Sequence, residues 1–430
     1  MNTVINAFKY LESFTNLEKT TTAEKREYRL DRMVKLLQDF GNPHENKKIY
    51  HIAGSKGKGS TSFYLATLLQ GAGHRTGLYQ SPHIVNYTER ITLAGQAFED
   101  QIYIRTIHRI KKYIEEHKDY PGGEPTTFEL LTLAAFIIYH EQGCTHLVLE
   151  TGMGGRLDAT NVVTPLLSII TPIELEHTQY LGDSLDLIAR EKGGIIKEGV
   201  PCLISAEKPE VIPVFREITA QRHSRLYELK DLLTIDSTSL SPGGVEAKIQ
   251  WNGTTMHLNL ASLNTVQVQN SCLALTALHI TGELPEQALD IIQRTRLPGR
   301  MEIKSHHPYI VVDGSHTEDS LGFASEAFHS GFQEMKPKVL VFGLSEGKDA
   351  LQLAPLVARG FDHIIVTRAG TFRPQDPHQL GKAFFHHNYE VIVEGEPRQA
   401  LEKALDLAGK EGAVLVTGSF HLIGEIYPFV

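Results

Sequence analysis

The amino-acid sequence predicts an α/β protein of two domains, the first larger and the second a smaller doubly wound unit. Three observations carry the prediction: strand-length runs that are β-branched and almost continuously apolar, helix-length segments between them, and a change of texture in mid-chain. Runs that are apolar without alternation are how strands buried on both faces of a parallel sheet read. At 430 residues, 41% hydrophobic and 22% charged, the chain also exceeds the size at which one hydrophobic core normally splits.

In chain order, KIYHIAG (48–54), HLVLETG (146–152) and LLSIITPI (166–173) read as buried parallel strands. In KGSTSFYLATLLQGAG, Leu65, Leu68, Leu69 and Ala72 share a helical face, and Gly71 and Gly73 supply the stop. Beyond about residue 206 the run LYELKDLLTIDSTSLSPGGVEAKIQWNGTTMHLNL alternates, with Asn252-Gly253 placed as a two-residue hairpin turn. This segment, about 206–262, is expected to be an antiparallel extension of the first domain. After LPGRMEI (297–303) the strand–helix alternation restarts in YIVVDGS, KVLVFGL, HIIVT, YEVIVE and AVLVTGS. The expected domains are therefore 1–297 and 298–430.

Composition narrows the function classes. No apolar run reaches the roughly 18 residues a membrane span needs, and MNTVINAFKYLESF lacks the layout of a secretory signal. A soluble, cytoplasmic protein with no membrane partner is expected. The formal net charge of −9 gives no general attraction for nucleic acid. Cys144, Cys202 and Cys272 lie far apart without metal-ligand spacing and read as buried thiols. The sequence shows no heptad and no long apolar stripe, which points to a monomer.

The stretch HIAGSKGKGST (51–61) joins the first buried strand to a helix. Strand, glycine loop and helix are the setting in which backbone N–H groups and a helix dipole converge on an anion, with Gly57, Lys58, Gly59 and Ser60 at its centre. Lys58 is then the residue that reaches the β- and γ-phosphates. The pattern G-x-x-x-x-G-K-[ST] is not met, because Ile52 occupies the first glycine position and Gly59 follows the lysine. On these residues alone, a glycine-rich βα turn that binds nothing stands beside the phosphate cradle.

With the segments GLYQSPHIVNYTERITLAG (77–95), VLETGMGGRLDATNVV (148–163), AREKGGIIKEGVP (189–201), LPGRMEI, VVDGSH and VTGSF, the loop resembles the folylpolyglutamate synthase and dihydrofolate synthase family within the Mur-type ligases. The signatures occur in the family's order across most of the chain. The resemblance implies an N-terminal P-loop ATPase-type domain, with a mainly parallel sheet plus a small antiparallel one, and a C-terminal Rossmann-like α/β domain. It also implies the chemistry. ATP phosphorylates a carboxylate, and the amine of L-glutamate attacks the acyl phosphate to give an amide, ADP and phosphate. The acceptor is dihydropteroate, the glutamyl tail of a folate, or both.

Residue by residue, the resemblance implies that Ser81 and Glu150 bind a first Mg2+, that His177 serves a second, and that Lys192, if carbamylated, adds an anionic oxygen donor. A carboxylate at the C-terminal end of a buried strand is where open α/β sheets place ligands. Asn270, Arg300 and Asp313 match nucleotide-binding positions, with Arg300 suited to phosphate and Asp313 to ribose. His316 is expected to face the phosphates, and with Lys58, His177 and Lys192 completes the expected catalytic set. Each has a plain alternative: a cap, a surface arginine, a strand-end aspartate, an exposed helix lysine. Leu30, Asp31, Arg32, Thr126, Thr127, Leu157, Asp158 and Ala159 match the pterin site, although Arg156 and Asp158 could simply brace their own loop. Since the residues come from both domains, domain closure is expected to be part of the mechanism.

Departures from the family pattern are Lys56 for asparagine, Glu174-Leu175-Glu176-His177 for Gly-Leu-Asp-His, Ser315-His316-Thr317-Glu318 for Ala-His-Asn-Pro, and Glu346-Gly347-Lys348-Asp349 for Asp-Lys-Asp. They leave open a paralogous ligase for another acid or amine, or an ATP-binding module without turnover.

Overall fold

The computed structural model describes residues 3–16, 29–205, 208–370 and 374–430; Ala206, the expected start of the antiparallel extension, lies outside them. Two compact units emerge. One comprises the chain to Thr234 together with Asn270–Ile291, the other Ile235–Gln269 together with Ile292–Val430.

The first unit is built on eight strands: β1 (Lys48–Ala53), β2 (Thr76–Tyr79), β3 (Ile91–Leu93), β4 (Gln96–Ala97), β5 (His146–Glu150), β6 (Leu167–Ile170), β7 (Cys202–Ile204) and β8 (Leu226–Glu228). Their order is β4-β3-β2-β5-β1-β6-β7-β8. Pairing from β2 through β8 is parallel, and β3 and β4 add an antiparallel edge. Every residue of β5 is buried, which is why its sequence shows no alternation. One core joins Ile49, Leu147 and Leu149 to the helices Val4–Glu12, Asp31–Asp39, Asp100–Glu116 and Thr127–Glu141. A second joins Ala53, Ile170 and Ile204 to the helices Leu185–Gly193 and Ile212–Gln221.

The second unit holds β9 (Leu233–Ser241), β10 (Gly244–Trp251) and β11 (Thr254–Leu260) as a three-stranded sheet. Asn252 (φ 49°) and Gly253 (φ 74°) make the expected type I′ turn between Trp251 and Thr254. A six-stranded sheet follows, from β12 (Glu302–His306), β13 (Tyr309–Val312), β14 (Lys338–Phe342), β15 (His363–Val366), β16 (Ile392–Val393) and β17 (Ala413–Thr417), in the order β12-β13-β17-β14-β15-β16. All its pairs are parallel except β12–β13.

The extension is thus corrected in two respects. Its first run, β8, continues the parallel sheet rather than the antiparallel one. The remainder groups with the second unit, because Leu263 is buried in that unit's core, Leu240 packs against it, and Ser262 bridges to Glu302. Conversely Asn270–Ile291 returns to the first unit, where the Tyr50 hydroxyl lies 2.7 Å from Thr281 Oγ1. All three cysteines are free and buried, and among the described residues no helix is long and apolar enough to cross a membrane.

Candidate active site

Strand β1 lies between β5 and β6, and the chain leaves it toward β2 on one side while β6, β7 and β8 extend the other. The crevice beyond the carboxyl ends of such strands is where open α/β sheets bind ligands. The loop there is shaped by two glycines. Gly54 has φ 148° and comes so close to β6 that a Cβ would stand 1.8 Å from Thr171 Oγ1. Gly57 has φ 84°, and its Cβ would stand 2.4 Å from Asn270 Oδ1, so the loop is pressed against Asn270. The helix Lys58–Gly71 starts immediately, with Thr61 N–H making the first helical bond to Gly57 O. The N–H groups of Lys58, Gly59 and Ser60 precede that first bond and have no acceptor within the helix.

Two ammonium groups converge on one oxygen. Lys58 Nζ donates to Gly54 O at 2.7 Å, and Lys192 Nζ donates to the same oxygen at 2.7 Å. Lys192, whose plain alternative was an exposed helix lysine, is 1% exposed, which removes that alternative. Helix Leu185–Gly193 turns that face inward, where Lys192 also pairs with Glu176 at 2.7 Å. Burial first, and then the Lys58 charge, push the Lys192 amine down to about 8 against the pull of Glu176. Burial of Glu176 opposes its ionisation, but Lys58 and Lys192 outweigh it and hold the carboxyl below its usual range. His177, in a left-handed conformation (φ 46°), is lowered by partial burial and by the same two lysines. The departures at Glu174 and Glu176 are therefore both neutralised by lysines, Glu174 pairing with Lys208 at 2.6 Å. Lys56 is exposed.

Glu150 ends β5 in a buried position, and its Oε2 accepts the Ser81 backbone N–H at 3.2 Å. A Cβ on Gly59 would lie 3.4 Å from that carboxylate, so loop, Ser81 and Glu150 form one cluster. Gln80, which the sequence reading did not single out, ties it together by donating to Gly59 O at 2.6 Å. Its adjacency to Ser81 was the available signal.

The expected pterin residues are largely engaged internally. Arg32 is 2% exposed, forks onto Glu129 (Nε–Oε2 2.9 Å, Nη2–Oε1 2.9 Å) and donates Nη1 to the carbonyl oxygens of Pro121, Gly122 and Gly123. Thr126 caps the helix Thr127–Glu141 in a capping box with Glu129, and Thr127 Oγ1 donates to Leu11 O at 2.9 Å. Asp158 is buried and accepts the N–H groups of Gly152 (2.9 Å), Met153 (3.1 Å) and Thr160 (3.0 Å). Arg156 pairs with Glu191 rather than Asp158, which removes the brace considered from sequence. Leu30 precedes the helix Asp31–Asp39, Asp31 is exposed and paired with Arg29, and Leu157 and Ala159 flank Asp158.

In the second unit, Asp313 is 3% exposed; its Oδ2 accepts Met301 N–H at 2.8 Å and its Oδ1 accepts Ser315 N–H at 2.9 Å. Burial raises this carboxyl, opposed by those bonds and by Arg300. Asp313 thus clamps the loop carrying Arg300 through one N–H on each of its carboxylate oxygens. The Arg300 guanidinium lies 4.7 Å from the Phe420 ring centroid, and His316 packs edge-on against that ring at 6.3 Å. His316 Nδ1 is 2.8 Å from Gly314 O. Thr317 and Asp349 prove to be helix caps, which gives the departure at Thr317 a local structural role.

Residues 52–278 match the Mur ligase middle domain, and residues 299–420 match the Mur ligase, glutamate ligase domain. The chain is 32% identical over 329 residues to the dihydrofolate synthase/folylpolyglutamate synthase of Bacillus subtilis, covering 74% of this chain and 76% of that one. It is 30% identical over 422 residues to the enzyme of the same name from Buchnera aphidicola, covering 97% and 96%. Among solved structures, Thermotoga maritima folylpolyglutamate synthase is similar with a TM-score of 0.86 at 28% identity, over 99% of this chain and 96% of that one. Escherichia coli FolC, solved in complex with DHPP and ADP, is similar with a TM-score of 0.81 at 26% identity, over 99% and 97%. The chain therefore belongs to the folylpolyglutamate synthase/dihydrofolate synthase family, the ATP-dependent amide ligases of Mur type.

Proposed function

We propose that this enzyme joins L-glutamate both to dihydropteroate and to the glutamyl tail of folates, through an acyl phosphate made from ATP. The observation that carries the reading is the pairing of Lys58 and Lys192 on Gly54 O at the start of a helix, beside the Ser81–Glu150 contact. Phosphoryl transfer needs positioning and charge neutralisation more than covalent help. A γ-phosphoryl group at the loop takes Lys58 away from Gly54 O and accepts the N–H groups of the helix start. Gly57 and Asn270 keep the loop in the shape that allows this approach.

The donor set fits a hard cation: the Glu150 carboxylate and the Ser81 hydroxyl are oxygen ligands, which suit Mg2+. When bound, Mg2+ supplies charge neutralisation for the transferring phosphoryl group. His177 and, as a carbamate, Lys192 are the groups assigned to a second ion. As an ammonium paired with Glu176, Lys192 repels a cation; carbamylation reverses that sign. Arg300 and His316, held beside Phe420, are assigned to the nucleotide phosphates. The protein acts on small molecules as a cytoplasmic monomer.

The test is purified protein with ATP, Mg2+, L-glutamate and either dihydropteroate or tetrahydrofolate, following ADP release and product mass. ADP release and a one-glutamate mass gain with each acceptor are expected. Product with only one acceptor removes the other activity, and ADP release that depends on neither pterin overturns the reading.

A further inference from the structure

At the opposite end of the same strands lies a second cluster that the ligase chemistry does not use. His74 precedes β2, His146 opens β5, and Glu283 follows the helix Val266–Thr281. One ligand atom from each of the three lies within 4.8 Å of the other two. Glu283 Oε2 is 2.8 Å from His146 Nε2 and 3.8 Å from His74 Nε2, and the two imidazoles stack with centroids 4.0 Å apart. We propose that His74, His146 and Glu283 form a binding site for a divalent transition-metal ion of the zinc class, distinct from the nucleotide site.

Two independent features point to a cation. The first is the donor set. Two imidazole nitrogens and one carboxylate oxygen suit zinc and its neighbours, whereas Mg2+ prefers oxygen alone. Tetrahedral zinc with bonds near 2.0 Å separates its ligands by about 3.3 Å, and the two nitrogen–oxygen distances here bracket that value. The second is an unmet polar atom. His146 is 3% exposed, and its Nε2 lies 2.8 Å from Glu283 Oε2 without meeting the geometry of a hydrogen bond. Its Nδ1 meets Thr145 Oγ1 at 2.9 Å. With Nδ1–H donated to that hydroxyl, Nε2 presents a lone pair to a carboxylate lone pair, an arrangement that a cation between them converts from repulsion to ligation.

Lys48 now holds the other oxygen of Glu283, and its side chain is 56% exposed, so it can swing into solvent as the ion enters. The fourth position would be water, reached from the half-exposed His74 side. His146 and Glu150 are four residues apart on β5, roughly 13 Å along the strand. An ion here would tie the segment after the helix that carries Asn270 to the strand that carries Glu150, bracing the scaffold without touching substrate.

The experiment is a titration of chelator-treated, full-length protein with Co2+ and then Zn2+. The expected result is one equivalent of Co2+ with the intense visible bands of a four-coordinate centre, displaced by Zn2+ but not by Mg2+, and a melting temperature that rises with Zn2+. Because the chain has 21 histidines, variants assign the site. His74→Ala, which removes a half-exposed ligand, and Glu283→Gln should each abolish the bands and weaken Zn2+ binding at least about tenfold. Circular dichroism of the metal-free proteins controls for folding. Absence of the bands in the unaltered protein, their displacement by Mg2+, or their survival in a folded His74→Ala protein overturns the proposal.

Discussion

The loop after β1 and the loop after β13 both handle buried charge, and they do so in opposite ways. In the first, two ammonium groups crowd one carbonyl oxygen, and one of them, Lys192, is buried with Glu176 as its ion-pair partner. In the second, the buried charge of Asp313 is answered by backbone N–H groups from both sides. The difference separates chemistry from shape. Two ammonium groups sharing one carbonyl oxygen can be drawn off by an anion, whereas a carboxylate bonded on both oxygens by backbone N–H groups holds its loop in shape.

The sharpest way to break the comparison is Lys58→Ala. Removing one preorganised cation from the transferring group should lower kcat by on the order of 10³, while denaturant unfolding moves by less than about 0.5 kcal/mol, as for a half-exposed loop residue. Retained turnover would make the two loops equivalent.

The next effect is a pH dependence centred on Lys192. Its folded amine titrates near 8, below the 10.5 of a free lysine. Below pH 8 the folded state therefore carries the full cost of the buried ammonium. As pH rises from 8 to 10.5 the unfolded chain still binds the proton that the folded one has released, and stability rises. Relative to Lys192→Met, the unaltered protein should gain on the order of 3 kcal/mol across that window, read from urea unfolding at several pH values. A flat difference would show that the lysine is not buried as an ammonium.

On the other side of the comparison, Asp313→Asn replaces an acceptor with an amide whose NH2 faces a backbone donor. Unfolding free energy should fall by about 2 kcal/mol, a larger loss of stability than Lys58→Ala causes. The smallest effect is expected for Thr126→Ala, where loss of a helix cap should cost about 1 kcal/mol and leave the KM for the pterin substrate unchanged. A selective rise in KM would restore Thr126 to the substrate site.

Strands β1, β5 and β6 of the first sheet and β13, β14, β15 and β17 of the second were legible because parallel strands covered on both faces leave an unmistakable apolar run, whereas β2, β3, β4, β7 and β12 were not singled out; Asn252-Gly253 announced its turn because both residues accept positive φ. The allegiance of Ile235–Gln269 was not, since it depends on where Leu240 and Leu263 find a core, and that is a long-range choice. Gly57, Lys58, Ser81 and Glu150 could be named because each lies in a contiguous family signature, and the structure brings Ser81, Glu150 and the glycine loop together. Lys192 was named only through the resemblance, and an exposed helix lysine stayed open as its alternative, because burial of a helical lysine depends on what covers the helix. Arg32, Thr126 and Asp158 show the converse limit: their residue types suit a substrate as well as they suit a cap or a buried ion pair, and only the partners decide. His74, His146 and Glu283 are invisible in sequence because three distant segments bring one side chain apiece.

The exchange of Ile235–Gln269 and Asn270–Ile291 between the two units bears on how this protein can be dissected. The polypeptide passes from one compact unit to the other three times, so no single proteolytic nick or stop codon divides it into self-sufficient halves. A fragment ending at residue 297 would carry Leu240 and Leu263 without most of the core they pack into, and the complementary piece would lack Leu263 from that core. Recombinant expression of either half should yield aggregation-prone material, and a circular permutation would preserve all three passages where a truncation cannot.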